Sequence, residues 1–557
     1  MVSAFFRSLS VPSTTPSRRS FVAFSVLAGV GLPVLAGCDL PGASKAKDSA
    51  SANGSASAKG KAKAGSTDWQ KLDAHIMGHN VTVEVSPVIR QDEKTSIIAL
   101  RLTRAKDDAS VDAINASSYS GISDKLNVSN YLGVPSISRP GTGASLVKLL
   151  DLDSGRVWSA INGSGGLLDL TPGENITSYL SFGKVDTDTA TVLVPMAGFT
   201  TVSVLEADAA KKAKVNLSTA QTAIDQSSHA ATELADPVAI ERYTRALDDS
   251  TSTQAGSKDI TVTLNSDVTF ASDSADLTPA ADTQLQTVAD QLDQYPDGGT
   301  LTVVGHTDDV QDDAYNQTLS EKRANAVKTK LQQLTKLDKW KTSVSGKGES
   351  QPKIKDTTDE ARAANRRVEI TLTPTGGTTA QKAAPSTGTL PEAKGPVAKG
   401  PDGVTVTVDG SKDQVTITLD HVIRTGGYLL GQVQTTTRAT KNSIHNFDQW
   451  LEDKEMYHLN SRGEDASAGI TEFAADGLTL LAGNERIYPA DYLDAEFKAH
   501  VPLTELGLIP SIKAGTITVC VVWPDPGGDT VTLDHAAPRK EISDYAYRLT
   551  DIPVKNS

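Results

Sequence analysis

Between positions 305 and 331 the chain reads Gly305-His306-Thr307-Asp308, then Asn316, Leu319-Ser320, Arg323-Ala324, Val327 and Leu331. Asp308 supplies a carboxylate and Arg323, fifteen residues on, a guanidinium. Two opposite charges on either side of a loop suit a zwitterion. The ammonium would meet Asp308, and the carboxylate would take two parallel bonds from the planar guanidinium fork, which a lysine cannot offer. With nothing between them, the same two side chains would close as a simple salt bridge. Reactive chemistry is not signalled. There is no nucleophile elbow, P-loop, HExxH or Cys/His metal spacing. The nine histidines are scattered. His75 and His79 are four apart but lead into a strand without a third ligand, and read as a solvated pair. His306 reads as a structural hydrogen-bonding residue of the loop. These observations point to a binding protein, not an enzyme, with no cofactor and no metal.

The elements that must hold these side chains follow from local pattern. Ile260, Val262 and Leu264 alternate, and Val268 and Phe270 continue as a strand. Thr278 reads as N-cap and Pro279 as the first residue of a helix whose buried face carries Leu285, Val288 and Leu292. Tyr295-Pro296-Asp297-Gly298 ends it. Leu301 to Val304 form a short buried strand, and a loop runs from Thr307 to Thr318. Ser320 reads as the N-cap of the next helix, with Val327, Leu331 and Leu334 facing the core. That numbering puts Arg323 at the third helical position, where a cation opposes the helix dipole by about 0.3–1 kcal/mol. The placement makes sense when guanidinium and first-turn N–H groups together hold an anion. Residues 342–346 and 367–373 supply further strands, giving an α+β order. Val368, Ile370 and Leu372 point inward, which sets Arg367 on the polar face. Asn365 shapes the turn before that strand.

The spaced pattern, with Asn365-Arg366-Arg367-Val368-Glu369-Ile370, resembles the peptidoglycan-binding domain of the OmpA family. The likeness covers residues 257–375. It implies binding of the diamino acid of the peptidoglycan stem peptide, commonly meso-diaminopimelate. On the matching positions Asp308 would bind the amine and Arg323 the carboxylate. Thr307, Asn316 and Leu319 would shape the pocket, flanked by Asp273 and by Arg366 or Arg367. One departure is the acidity of the loop, where Asp308, Asp309, Asp312 and Asp313 cluster. That would weaken attraction for an acidic stem peptide or accommodate an amidated one.

At 557 residues the chain exceeds one core and predicts three or four domains. A net charge of −14 argues against nucleic acid as a partner. Arg7, Arg18 and Arg19 precede an apolar stretch at 21–35 that is too short to span a bilayer comfortably and suits a signal peptide. It ends in Leu35-Ala36-Gly37-Cys38, which resembles a bacterial lipobox and implies cleavage before Cys38 and acylation there; the bland alternative is a membrane helix with a chance cysteine. Acyl chains contribute about 0.8 kcal/mol per buried CH₂, so several anchor stably. Ser17-Arg18-Arg19-Ser20-Phe21-Val22 resembles a twin-arginine signal, although two arginines also simply supply charge. Asp39 resembles an inner-membrane retention signal of enteric-type diderms. The expected location is the cell envelope: the outer face of the cytoplasmic membrane, or the outer membrane of a diderm. Residues 38–66 read as a disordered tether spanning roughly 25–30 Å. Cys520, in an apolar strand, reads as a buried inert thiol.

The flanks of the central domain look related. Val81 to Arg90 parallels Val415 to Arg424 at an offset of 334, Arg156-Val157-Trp158 parallels Arg486-Ile487-Tyr488 at 330, and Thr189 to Val194 parallels Thr516 to Val521 at 327. Both alternate as half-buried strands. The expected organisation is multidomain: a signal peptide at 1–37, the tether, a first all-β, Ig-like sandwich at 67–206, a helical or extended spacer at 207–256, the α+β OmpA-like domain at 257–375, a linker at 376–400, and a second, related sandwich at 401–557. The expected function is a lipid-anchored envelope protein gripping peptidoglycan noncovalently. The alternative is that wall binding is only the address and the sandwiches act in adhesion or partner binding.

Overall fold

The computed structural model describes residues 64–109, 125–133, 143–160, 162–163, 167–225, 236–378, 390–407, 414–438, 450–452, 474–494, 499–506, 508, 514–536 and 545–557. The expected signal peptide, Cys38, Asp39 and the tether up to residue 63 lie outside the described residues.

The central domain is a twisted sheet with two long helices on one face. Its strands run in the order Trp340–Gly346, Gly299–Gly305, Arg367–Pro374, Ile260–Asn265. The first two are parallel and the rest antiparallel. A parallel pair needs a crossover, which the helix Asp313–Leu334 supplies. Ile260, Val262, Leu264, Leu301, Val303, Val368, Ile370 and Leu372 turn one face of the sheet toward Leu285, Val288 and Leu292 of the helix Pro279–Asp293 and toward Ala324, Val327 and Leu331 of the long helix.

Two local expectations are corrected. Val268 lies in a helical turn, Ser266–Thr269, because the Asn265 side chain accepts the Asp267 N–H and caps it. The long helix begins at Asp313, seven residues before Ser320. Asp312 is its N-cap, accepting the Tyr315 N–H at 2.9 Å, so the helix is capped two turns earlier than Ser320. Thr278 and Pro279 do open their helix, but the Thr278 hydroxyl donates to the Val268 carbonyl instead of capping.

The region 207–256 is only partly a spacer. It holds a 3₁₀ turn at Ala207–Ala209 and a helix at Leu217–Asp225. The strands Arg242–Ala246 and Thr251–Ala255 then form a hairpin that extends the central sheet beyond Ile260–Asn265. On its other edge Arg242–Ala246 pairs with Glu485–Ile487 of the second flank. The ladder therefore passes without a break from the central domain into that flank. The final part of the expected linker at 376–400 is also ordered, since Val397–Lys399 pairs in parallel with Tyr547–Asn556.

Both flanks are built of strands, and their pairings repeat step for step. In the first, Gln70–Ile76, His79–Val85, Ser96–Arg104 and Asn175–Phe182 lie side by side. Val88–Arg90 joins Ser96–Arg104 to Gly198–Glu206, which is followed by Thr189–Val194, Lys148–Asp151 and Arg156–Ser159. In the second, Val404–Thr407, Gln414–Thr418, Tyr428–Arg438 and Ala514–Pro524 take the first four places. Val422–Thr425 joins Tyr428–Arg438 to Tyr547–Asn556, then come Thr530–His535, Thr479–Ala482 and Glu485–Ile487. The short joining strand makes each flank one curled ladder, not two independent sheets. Thr189–Val194 thus occupies the place of Thr530–His535, not that of the strand containing Thr516 to Val521. The last step of the offset series joined non-equivalent strands, because alternating Thr and Val recurs in any half-buried strand.

The flanks are packed on one another. Leu150, Leu193 and Phe199 of the first share a cluster with Leu430, Cys520 and Val522 of the second. Meanwhile Ile517, Val519, Val521 and Trp523 belong to a larger core that runs through both flanks, shared with Val83, Leu100 and Val192 of the first. From Ile517 to Trp523 the strand Ala514–Pro524 is buried on both faces, and its second half, Val519 to Trp523, reads as a continuous apolar run. Cys520 is free and buried, and burial pushes its thiol well up, in keeping with an inert residue. His79 departs from the expected solvated pair: it is buried, its Nδ1 2.7 Å from an Asp108 carboxylate that also accepts Arg104 Nε at 2.6 Å.

Glu505 sits in this interface, only 2% exposed, accepting the N–H groups of Met196 at 2.8 Å and Cys520 at 3.1 Å. Burial lifts its carboxyl from 4.5 to about 7. The unfolded chain releases this proton first, so stability is highest at low pH and falls as pH rises from about 4.5 to 7. Glu505→Gln is expected to remove that slope and to raise the thermal midpoint at pH 8, by at most on the order of 3 kcal/mol of stability. Thermal melts of both proteins at pH 5 and pH 8 check this; parallel pH profiles would refute it.

Candidate functional site

The site is positioned by a close approach of helix to strand ends. Gly305 and Gly346 are partners at the ends of the two parallel strands. A Cβ on Gly305 would lie 2.2 Å from the Ser320 carbonyl oxygen, and one on Gly346 would lie 2.4 Å from Ser320 Oγ. Only glycine lets the helix backbone rest there. Beyond the strands the ladder continues, with His306 N–H donating to the Arg367 carbonyl and Thr307 N–H to the Gly348 carbonyl. Ser320 Oγ accepts the Gly348 N–H at 2.9 Å, so it holds the loop after the neighbouring strand rather than capping a helix. One turn earlier, the Asn316 amide donates to the carbonyls of Asp308 and Gln311 and to the Glu349 carboxylate at 2.6 Å. This clamps the loop that carries Asp308.

Asp308 and Arg323 do not bridge to each other. Asp308 accepts Arg366 Nη1 at 2.7 Å, and the same guanidinium makes a two-pronged pair with Asp267 at 2.7 and 2.6 Å. Asp267 and then Asp308 hold the Arg366 guanidinium well above its ordinary pKa. Arg323 is 5% exposed. Its Nε donates to the Ser274 carbonyl at 2.9 Å, and its guanidinium carbon lies 5.2 Å from the Phe270 ring centre. Its terminal nitrogens meet no hydrogen-bond acceptor among the described residues. Burial lowers its pKa, opposed by the charges of Asp267 and Asp273. Asp273 lies in the left-handed region at φ 53°, and one of its oxygens accepts the Tyr315 hydroxyl at 2.7 Å. Asp267, Asp273, Asp308, Arg323, Arg366 and Tyr315 are thus joined by hydrogen bonds or electrostatic contact in one network.

The other expected residues divide. Thr307 and Asn316 are buried supports of the loop, and Leu319 is half-buried on the helix. Arg367 lies on the face opposite Val368 and Ile370, as expected, but is buried there, and its Nε donates to Glu369 at 2.7 Å. It faces His306 and takes no part in the Asp308–Arg366 network, so Arg366 is the flanking arginine. The helix dipole does not act on Arg323 as expected. The residue lies ten positions past Asp313, far from the first-turn N–H groups, and its cost is burial instead. Asp267, Ser274 and Tyr315 join the site without having been expected there. Tyr315 stands directly before Asn316 in the motif and could have been noticed. Nothing in spacing links Asp267 to Arg366, 99 residues away.

A family model described as the OmpA family matches residues 269–366. Outer membrane porin F of Pseudomonas aeruginosa is 43% identical over 108 residues, 19% of this chain and 31% of the porin. The probable lipoprotein YiaD of Escherichia coli is 38% identical over 116 residues, 21% of this chain and 52% of that protein. The chain therefore spans about a third to a half of the length of these curated relatives. Among solved structures, the cell wall anchor of the T6SS from Pseudomonas aeruginosa is 28% identical with a TM-score of 0.21, covering 23% of this chain and 90% of that one. The peptidoglycan-associated lipoprotein from Burkholderia pseudomallei is 27% identical with a TM-score of 0.16, covering 18% and 86%.

His306 is 2% exposed, its Nε2 3.8 Å from the Glu369 carboxylate, and neither ring nitrogen makes a hydrogen bond among the described residues. The expected structural role falls to its backbone. Burial, then the Arg367 charge, lowers its pKa from 6.5 to about 4, against the pull of Glu369. The unfolded chain takes up this proton first, so stability present above about pH 6.5 is lost as pH falls toward 4. Glu369, also held low, adds to the loss in the same direction further down. His306→Gln should flatten the thermal midpoint between pH 6.5 and 4.5, a difference on the order of 2–3 kcal/mol. An unchanged acid slope in the variant would rule out this assignment.

Proposed function

Residues 269–366 form a domain of the OmpA family, and from that premise we propose that this protein binds peptidoglycan noncovalently through the zwitterionic end of a stem-peptide diamino acid. The observation that carries the reading is the state of Arg323. Its guanidinium is buried on Phe270 and steered by the Ser274 carbonyl, while its terminal nitrogens are left for a ligand. A planar carboxylate satisfies both at once. The ammonium of the same ligand then meets Asp308, which Arg366 holds in place, with Asp273 on the other side. Binding of this kind needs no base and no activated water, so the proposed role is a grip and not catalysis. Diaminopimelate is the ligand this pairing fits. The acidic neighbours Asp309 and Asp312 favour a stem peptide whose remaining carboxyls are few or amidated.

The same proposal gives the envelope geometry. Cys38 carries acyl chains in the membrane, the segment up to residue 66 spans the gap, and the wall-binding face is presented by a body whose sheet is continuous with the second flank. Membrane and wall are tethered at a short distance.

Co-sedimentation with insoluble peptidoglycan tests the grip, using the chain from residue 39 onward. Arg323→Lys and Asp308→Asn are each expected to weaken binding by about tenfold or more, the scale of one charge-assisted bond of roughly 1.5–3 kcal/mol. Wild-type sedimentation by both variants, with unchanged circular dichroism, would overturn the site. For the anchor, Cys38→Ser should move the protein from the membrane fraction to the soluble fraction of lysed cells. Retention in the membrane fraction would place the anchor elsewhere.

A further inference from the structure

Residues 238–242 run through the junction of the three folded parts. Val238 and Ala239 pair with Val157 and Arg156 of the first flank. Glu241 and Asp491 of the second flank exchange backbone bonds in both directions, at 2.7 and 3.1 Å. Arg242 opens the hairpin that extends the central sheet. At this junction three ligand-type side chains converge. One oxygen each from Glu241 and Asp491 and a ring nitrogen of His500 lie within 4.8 Å of one another. His500 Nε2 is 3.0 Å from Glu241 Oε2, which also accepts Gln254 Nε2 at 2.7 Å. Asp491 is fully buried, His500 is 6% exposed and Glu241 is half-buried.

Like charges directly opposite each other on an antiparallel bridge are destabilising, and burial strengthens the repulsion. Here two carboxylates are set opposite each other by a closed pair of backbone bonds, so they cannot drift apart. The strands Asp491–Asp494 and Ala499–Pro502 place His500 opposite Leu493, on the same face as Asp491. We propose that Glu241, Asp491 and His500 bind a single zinc-class divalent cation, which clamps the central domain to the two flanks. Two carboxylates and one imidazole form a mixed oxygen and nitrogen set that favours zinc over magnesium or calcium. A tetrahedral zinc with bonds of about 2.0–2.1 Å holds its ligand atoms roughly 3.3 Å apart, so side-chain rotation of about an ångström closes the site. Water takes the fourth position. The role is structural: the ion neutralises the facing carboxylates and ties together the segments that meet there.

The test is a zinc titration of the full chain after treatment with chelator, followed by calorimetry and thermal melting. One equivalent of zinc should bind, and saturating zinc should raise the thermal midpoint by about 5 °C or more, while magnesium at the same concentration does neither. His500→Asn and Asp491→Asn should each lose the equivalent and the shift. The wild-type titration decides even where a variant fails to fold: no zinc bound and no shift would overturn the proposal. Undiminished zinc binding by both folded variants would overturn it as well.

Discussion

The site depends on the distance between one helix and the ends of two strands. The helix Asp313–Leu334 rests on Gly305 and Gly346 through Ser320, closer than any Cβ would allow. That contact fixes the helix in rotation and height. Asn316, four residues before Ser320, and Arg323, three after, lie on the same helical face. The first therefore falls where it can clamp the loop of Asp308, and the second where it stacks on Phe270 and reaches Ser274. Moving the helix outward by the width of a methyl group would displace both.

Two arginines of identical chemistry then differ because of their neighbours. Arg366 is saturated by Asp267 and Asp308 and serves to orient the second carboxylate. Arg323 has spent only Nε, on a neutral carbonyl, and its two terminal nitrogens make no hydrogen bond among the described residues, in a poorly hydrated place. A charged donor held there without a protein acceptor is costly in the empty protein and strong toward a ligand. Arg367, a single residue after Arg366, turns to the opposite face of the strand and neutralises Glu369 beside a histidine kept uncharged.

The wider architecture carries this site on a continuous ladder. The hairpin 242–255 pairs on both edges, so the central sheet and the second flank are hydrogen-bonded into one path, and the flanks bury apolar faces against each other. The face carrying Asp308 and Arg323 is thereby coupled to the second flank through backbone bonds, where a flexible spacer would let it swing.

The amino-acid sequence by itself determined the local elements of the central domain, the family likeness, the lipobox-like terminus and the identities of Asp308 and Arg323. Each of these is carried by short-range pattern: alternation along Ile260 to Leu264, helical spacing from Leu285 to Leu292, a loop motif before a helix. Tertiary structure alone decided the rest. It moved the start of the long helix to Asp313, since a cap is chosen by which side chain reaches an open N–H and not by residue type. It gave Asp308 to Arg366, buried Arg367 beside Glu369 on the face away from the helices, and brought Asp267 and Glu241 to partners far along the chain. It also joined polar strands at 242–255 to the sheet, because their edges pair on both sides while their composition signals only solvent. Pairings across such sequence distances are set by packing and charge compensation in three dimensions, and spacing in one dimension holds no record of them.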